Sequence, residues 1–344
     1  MSLRVAFFTH PKAIYLQAAT LQRDLEDFSI APLEQLGLGP LISSAPVSRL
    51  SRIHFMGLLG RTELGRDQTR FEHSLGVAIL AAHVLERAGA PVRVIRHAAA
   101  AALLHDASQW ALSHSCEGAF AHLTGFNNGQ ITQAMIFDSS VLPAKYHLGR
   151  LLEDLDLNRE SVWCLLKKSP ESADQSWFWK AAADLFACPL NPDTIDGIAR
   201  ACAIFGVDCP LREDVADCLE MISDRLSVRG TSFGVLDAFW KSKDEVYSGY
   251  IHNSSAMLLE LQYSLAVTKA FPRISLAAAL DLTDDMVLEK IDNCLPEMDR
   301  KSTAAGYKLR FRRPRRYTIN SEVWAGDSSV PAVDLDRRYL RNPI

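Results

Sequence analysis

An imidazole next to a carboxylate inside an apolar run is the most chemically demanding feature of this 344-residue chain. His105 and Asp106 follow directly on the apolar stretch Ala98 to Leu104. Burying such a pair is costly unless each group finds a partner, and a metal cation would satisfy both. Upstream, Arg70 and His73 are three residues apart and therefore share one helical face. Downstream, Asp193 follows Pro192 at the start of a helical pattern, and Asp196 and Arg200 come after it. Two histidines and two carboxylates make a mixed nitrogen and oxygen donor set. Such a set suits a borderline or hard divalent ion that keeps positions open for water and substrate. Spacing alone does not decide this, because a buried His-Asp pair more often marks a structural hydrogen bond.

The elements that must position these residues read as helices. Ser74 to Ala90 carries Leu75, Ile79, Val84 and Leu85 at helical spacing, and Val92 to Leu112 is apolar almost all round, which predicts a central buried helix. Further helical patterns occupy Tyr146–Leu155, Arg159–Lys168, Ser176–Phe186, Pro192–Phe205, Arg212–Leu226 and Asp244–Ala270, with a short one at Asp284–Asn293. Pro192 suits a first helical turn, where its missing amide costs nothing. Strand-like alternation appears at Arg4–Phe8, around Leu309 and Phe311, and over Tyr317–Trp324. The fold expectation is a mostly α helical body at 41–270, an N-terminal segment at 1–40, and a C-terminal appendage with a basic β segment at 271–344.

The order Arg70-Phe-Glu-His73-Ser-Leu-Gly76-Val77, then Leu104-His105-Asp106, then Asp193-x-x-Asp196-x-x-x-Arg200 resembles the HD-domain phosphohydrolases, and within them the dNTP triphosphohydrolase branch. The resemblance runs over about residues 45–265 and includes Val47-Ser-Arg-Leu-Ser-Arg-Ile53, similar to that branch's lead-in helix. It implies an HD-domain helical bundle in which His73, His105, Asp106 and Asp193 hold one divalent ion (Mn, Mg, Fe, Co, Ni or Zn). It further implies that Arg70 approaches a substrate phosphate, for which a planar guanidinium offers two donors. Asp196 and Arg200 would brace the helix. His114 matches a distal family histidine, and Tyr250 falls near a substrate-cavity tyrosine.

The departures from that pattern bear on function. Gln109 stands where the family has a histidine, Ser108 where it has a glycine, and Gly125–Gln133 contains no counterpart of a second histidine. Glutamine donates hydrogen bonds but does not shuttle protons near neutral pH. Thr194 replaces a triphosphate-binding lysine, Gly197 a tyrosine, and Ala201 an aspartate. These losses argue against ordinary dNTP hydrolysis. A monophosphate, a diphosphate or a modified nucleotide remains open to attack by metal-bound hydroxide, with Gln109 and His114 orienting water or leaving group. The competing expectation is a catalytically reduced module that binds a nucleotide or a protein partner.

Composition sets outer bounds. With 48% hydrophobic and 23% charged residues and a net charge of -4, the chain is neither intrinsically disordered nor a general polyanion binder. No apolar run approaches the roughly 18–20 residues of a membrane span, and Met1–His10 lacks a secretion-signal core, so a cytoplasmic protein is expected. Seven scattered cysteines without a CxxC pair predict free thiols. His97 reads as a satisfied core histidine. Lys308–Arg316, with one lysine and five arginines, suits a phosphate site at a homo-oligomer interface, nucleic-acid contact, or a solvated edge. No phosphate-cradling glycine loop and no Gly-x-Ser-x-Gly elbow occurs.

Overall fold

The computed structural model describes residues 29–60, 68–169, 177–222, 225–292, 318–319 and 322–323. It is mostly α-helical with small β elements. Short helical turns α1 (Ala31–Gln35), α2 (Gly39–Ile42) and α3 (Ala45–Ser48) lead through a 3₁₀ turn at Arg49–Arg52 to the two long helices that carry the chemistry. These are α4 (Arg70–Arg87) and α5 (Val92–Leu104), which pack along each other. Thr69 and Glu72 close a reciprocal capping box at the start of α4. Ala98 to Ala102 in α5 are wholly buried, and their small side chains permit close helix approach.

The expected helix through Leu112 stops at Leu104. His105 caps it by donating Nδ1–H to the Ala102 carbonyl at 2.7 Å. Buried Arg49 then donates to the carbonyls of Ala107 (3.3 Å), Gln109 (2.8 Å) and Leu280 (2.8 Å), taking acceptors that a continuing helix would have used. Burial lowers the Arg49 pKa to about 10, so it remains a cation at neutral pH. The turn that follows places Leu112 and Ser113 at φ 60° and 50°.

Beyond it come α6 (Glu117–Thr124), α7 (Asn128–Ile136), α8 (Gly149–Asp154), α9 (Arg159–Leu166), α10 (Trp177–Ala187) and α11 (Pro192–Phe205). Helix α11 starts from an Asn191 cap with Pro192 in its first turn and ends on Gly206 at φ 69°, matching the boundaries read from sequence. The expected helix Arg212–Leu226 is instead α12 (Arg212–Asp217) followed by an antiparallel hairpin of β1 (Leu219–Ile222) and β2 (Arg225–Val228). Pairing of Leu219 with Val228 and Met221 with Leu226 places the apolar positions on one face, and Leu219, Leu226 and Val228 are buried.

The expected helix Asp244–Ala270 is likewise divided. Helix α13 (Phe233–Val246) runs into a π turn at Tyr247–Ile251 before α14 (Ser254–Ala270) restarts. Two more helices follow, α15 (Leu276–Asp281) and α16 (Asp284–Asp292). The expected boundaries at 40 and 270 fall inside one continuous core, which holds Leu33 and Leu38 at one end and Leu280, Val287 and Ile291 at the other. Asp284, fully buried at the head of α16, accepts from the Leu112 amide at 2.6 Å and from the His54 amide and Nδ1 at 2.9 and 2.7 Å. A minimal hairpin pairs β3 (Thr318–Ile319) with β4 (Glu322–Val323), within the expected C-terminal β segment. Arg4–Phe8 and Lys308–Arg316 lie outside the described residues.

Candidate metal and phosphate site

Three of the four predicted ligands converge from α4 and the end of α5: His73, His105 and Asp106 present donor atoms within 4.8 Å of one another. Asp193, from the first turn of α11, completes the group. The His73 and His105 Nε2 atoms are 3.2 Å apart, and Asp193 Oδ1 lies 3.2 Å from the first and 3.7 Å from the second. Asp106 Oδ2 is 3.5 Å from His105 Nε2 and 3.9 Å from His73 Nε2.

The partners on the other side of each ring determine what these atoms can do. The Ala102 carbonyl can only accept, so His105 carries its proton on Nδ1. His73 Nδ1 faces the Asp196 carboxylate at 2.8 Å and is likewise a donor. In neutral rings both Nε2 atoms are therefore lone pairs, facing each other at 3.2 Å. That contact is relieved either by a proton on His73 Nε2, which Asp193 favours, or by a metal ion shared between the two rings. Two nitrogens about 2.1 Å from one ion stand roughly 3.0–3.4 Å apart at octahedral or tetrahedral angles. The donor set and its spacing thus fit a divalent metal. His97, by contrast, donates from Nδ1 to the Arg93 carbonyl and accepts the Asn158 amide at Nε2, which leaves no free donor atom for a ligand.

A layer of ion pairs behind the cluster fixes His73. Asp196 is fully buried and accepts from Arg200 Nε at 2.5 Å, Arg212 Nη1 at 2.8 Å and His73. Its carboxylate approaches α4 where Gly76 has no side chain: a Cβ there would lie 2.1 Å from Asp196 Oδ1. Ligand-orienting carboxylates of this kind set ring tautomer and basicity. Burial pushes the Asp196 pKa up, but Arg200, His73 and Arg212 outweigh it and hold it well below the usual carboxylate range. Burial likewise opposes ionisation of Asp106, yet His105, Arg70 and His73 hold it low. For His73, burial works against protonation, while Asp193 and Asp196 prevail and raise its pKa.

These shifts predict a stability profile for the metal-free chain. A carboxylate with a depressed folded pKa contributes stability that is present above its ordinary 3.8 and lost as pH falls through the folded value. A histidine raised above 6.5 contributes fully below that pH and loses its contribution as pH rises through the folded value. The melting temperature should therefore fall on acidification below about pH 4 and again as pH climbs past the His73 transition. Added divalent metal should remove the second fall, because the neutral ring is the form that binds it. Melting curves from pH 3 to 9, with and without Mn²⁺, check both limbs.

Arg70 is buried beside this cluster. It donates from Nη1 to Asp106 Oδ2 at 2.7 Å and from Nε to Ser113 Oγ at 3.0 Å, with its guanidinium 4.9 Å from the Phe55 ring centroid. Its Nη2 makes no hydrogen bond among the described residues. Gln109 is joined to His114 through two residues, Asn128 and Glu117, that belong to no sequence motif. Asn128 Nδ2 donates to Gln109 Oε1 at 2.9 Å and to Glu117 Oε1 at 3.0 Å, while His114 Nδ1 donates to Glu117 Oε2 at 2.8 Å. Gln109 Nε2 and Asn128 Oδ1 are buried without partners among the described residues. Asn128 fills the segment where no family histidine was found. Neither it nor Glu117 belongs to a residue pattern that would have singled it out.

Tyr250 is not brought to this site. It stacks on Phe205 at 4.4 Å, and Phe205 lies twelve residues along α11 from Asp193, about 18 Å of helical rise. Proximity in sequence to a family tyrosine suggests a cavity position, whereas the π turn directs Tyr250 to the far end of α11.

No family model matches the chain. A stretch of 135 residues is 33% identical to the uncharacterized protein YdhJ of Bacillus subtilis (strain 168). The match covers 39% of this chain, which thus spans about two fifths of that relative's length. Among solved structures, a hypothetical protein from Aquifex aeolicus, determined at 2.0 Å, superposes with a TM-score of 0.63 at 19% identity, over 76% of this chain and 69% of that one. That likeness establishes the shared fold. No helix among the described residues is long and apolar enough to cross a membrane.

Proposed function

We propose that the protein is an HD-type metal-dependent phosphohydrolase acting on a phosphoester or phosphoanhydride, with a nucleotide as the expected carrier. The carrying observation is the convergence of the His73 and His105 Nε2 atoms, 3.2 Å apart and ringed by Asp106 and Asp193. His73, His105, Asp106 and Asp193 would hold the ion. When bound, such an ion polarises a phosphoryl oxygen and lowers the pKa of a coordinated water. The chain's own residues supply the rest. Arg70, fixed through Nε and Nη1, keeps Nη2 for a phosphoryl oxygen and neutralises charge that builds there. Gln109 cannot transfer a proton, and it is linked through Asn128 to Glu117 and His114, with which it would orient water or the leaving group.

A second reading, a reduced module that binds a nucleotide or protein without turnover, is favoured by one observation. Gln109, which cannot transfer a proton, accepts from another amide, Asn128 Nδ2, at 2.9 Å. The cytoplasmic, homo-oligomeric state belongs to the same proposal. Phosphate release from nucleotides of each phosphorylation state, with Mn²⁺, Mg²⁺, Co²⁺ and Fe²⁺ in parallel, separates the readings. Turnover lost by at least about a thousandfold in Asp106→Ala supports the enzyme. Silence with metal stoichiometrically bound supports the module.

A further inference from the structure

Two thiols meet at the far end of the helix that begins with Asp193. Cys202, wholly buried in the last turn of α11, is hydrogen-bonded to the half-buried Cys209 in the connection to α12. The backbone brings them together. Gly206, at φ 69°, ends the helix in left-handed conformation, and the Gly206 and Val207 amides both donate to the Cys202 carbonyl, the second at 2.9 Å. The chain thus turns back over the last helical turn, and Cys209 follows two residues later. Ser242 of α13 steadies the connection by donating to the Asp208 carbonyl at 2.6 Å. Cys188 and Cys218 differ, since each donates to a carbonyl of the helix it follows, at 3.3 and 3.1 Å.

Converging side chains are what a disulfide requires of its two residues. The two sulfurs are also unequal. The bond to Cys209, and after it burial, pushes the Cys202 pKa well up, so Cys202 stays a thiol. Cys209 is the sulfur that solvent, and an oxidant dissolved in it, can reach.

We infer that Cys202 and Cys209 are an oxidation site for hydrogen peroxide. One peroxide oxygen passes to Cys209 Sγ, giving a sulfenic acid and the first water. Cys202 Sγ then attacks that sulfur, its proton leaves with the departing hydroxide as the second water, and a disulfide forms. The two thiols lose two electrons and two protons, and the peroxide is reduced to two waters.

The new bond bears on the ligand cluster through Arg212. Only Pro210 and Leu211 separate Cys209 from Arg212, which donates from Nη1 to Asp196 at 2.8 Å, and Asp196 in turn holds His73. A disulfide of about 2.05 Å in place of a hydrogen bond draws Cys209 towards α11. Arg212 shifts with it, and the brace on His73 weakens. Mn²⁺ affinity should therefore fall about three- to tenfold on oxidation and recover with dithiothreitol. This last step rests on the metal-site reading; the disulfide does not.

The test treats the full chain with hydrogen peroxide, removes the oxidant, blocks thiols with N-ethylmaleimide in denaturant and digests with trypsin. No lysine or arginine lies between Ala201 and Arg212, so both cysteines fall in one peptide. The expected product is that peptide lighter by two hydrogens and unlabelled, returning to the doubly labelled form after dithiothreitol. In Cys209→Ser, Cys202 should stay reduced under the same treatment. A doubly labelled peptide after peroxide, a cross-link from either cysteine to another peptide, or oxidation of Cys202 in Cys209→Ser overturns the assignment. Titration calorimetry with Mn²⁺ on undigested protein, reduced and oxidised, reads the second step, with Cys209→Ser expected to be insensitive to peroxide. A disulfide that leaves Mn²⁺ affinity within about twofold overturns the link through Arg212. Failure of Mn²⁺ to bind even the reduced chain strikes the metal-site reading, while the peptide map still decides the disulfide.

Discussion

Gly76→Ala is expected to destabilise the protein by about 3–5 kcal/mol, although alanine is the better helix former. The new Cβ would lie 2.1 Å from Asp196 Oδ1, 2.7 Å from its Cγ and 3.1 Å from Arg200 Nη2. Glycine's intrinsic penalty within a helix is only about 1 kcal/mol, so relief of that penalty cannot compensate. Asp196 has nowhere to go, because it is fully buried between two guanidinium groups and the His73 ring. Displacing it strands two buried arginines, a loss typical of breaking a buried ion pair. The melting temperature should drop by on the order of 10 °C. Metal affinity should also weaken by about 10–100-fold, since His73 loses the group that fixes its tautomer. A variant that melts within a degree or two of wild type with unchanged metal affinity would show that Asp196 does not hold His73 in solution.

The second large effect is expected at Asp284, far from the cluster in sequence. Asp284→Ala removes the acceptor for three donors at once: the Leu112 amide, the His54 amide and the His54 ring. Leaving the buried Leu112 amide unsatisfied costs about 1–3 kcal/mol, and the half-buried His54 adds a smaller loss. The same carboxylate pins two consecutive non-glycine residues in left-handed conformation, each carrying about 1–2 kcal/mol of backbone strain. Ser113, the second of them, donates to the His54 carbonyl at 2.6 Å and accepts from Arg70 Nε. Loss of Asp284 should therefore loosen Arg70 as well as the fold. Phosphate release, measured at a temperature where the variant remains folded, should fall at least about tenfold with metal stoichiometry preserved. Val287→Ala, a cavity in the same helix, should lower the melting temperature and leave turnover per folded molecule intact. Equal turnover in the two variants would assign Asp284 a purely structural part.

Which features could be read beforehand follows from how local their causes are. Helix α11 was legible because everything that bounds it lies within its own residues: the Asn191 cap, Pro192 in the first turn and Gly206 at the exit. The clustering of His73, His105, Asp106 and Asp193 was legible because their order and residue types are distinctive. Helix α5 stops early because Arg49, more than fifty residues upstream, takes the carbonyls of Ala107 and Gln109. Nothing near Leu104 announces that. The β1–β2 hairpin did carry a period-two pattern in Leu219, Met221, Leu226 and Val228, but it follows directly on the helical turn Arg212–Asp217 and was absorbed into it. Asn128 and Glu117 gain their place only from tertiary contact with Gln109 and His114. Asp284 reads in sequence as an ordinary acidic residue at a helix start, where the helix dipole alone would explain it.

The position of Asp284 also sets an order of events during synthesis. The four candidate ligands and Arg70 leave the ribosome within residues 70–193, whereas the acceptor that Leu112 and His54 require comes 172 and 230 residues after them. A chain still being made therefore contains His73, His105, Asp106 and Asp193 while the turn bearing Ser113 still lacks its anchor. Docking of α16 is the late, long-range step that fixes Arg70 in place. The candidate ligands are thus complete in the growing chain before the residue that anchors the turn beside Arg70 has been made.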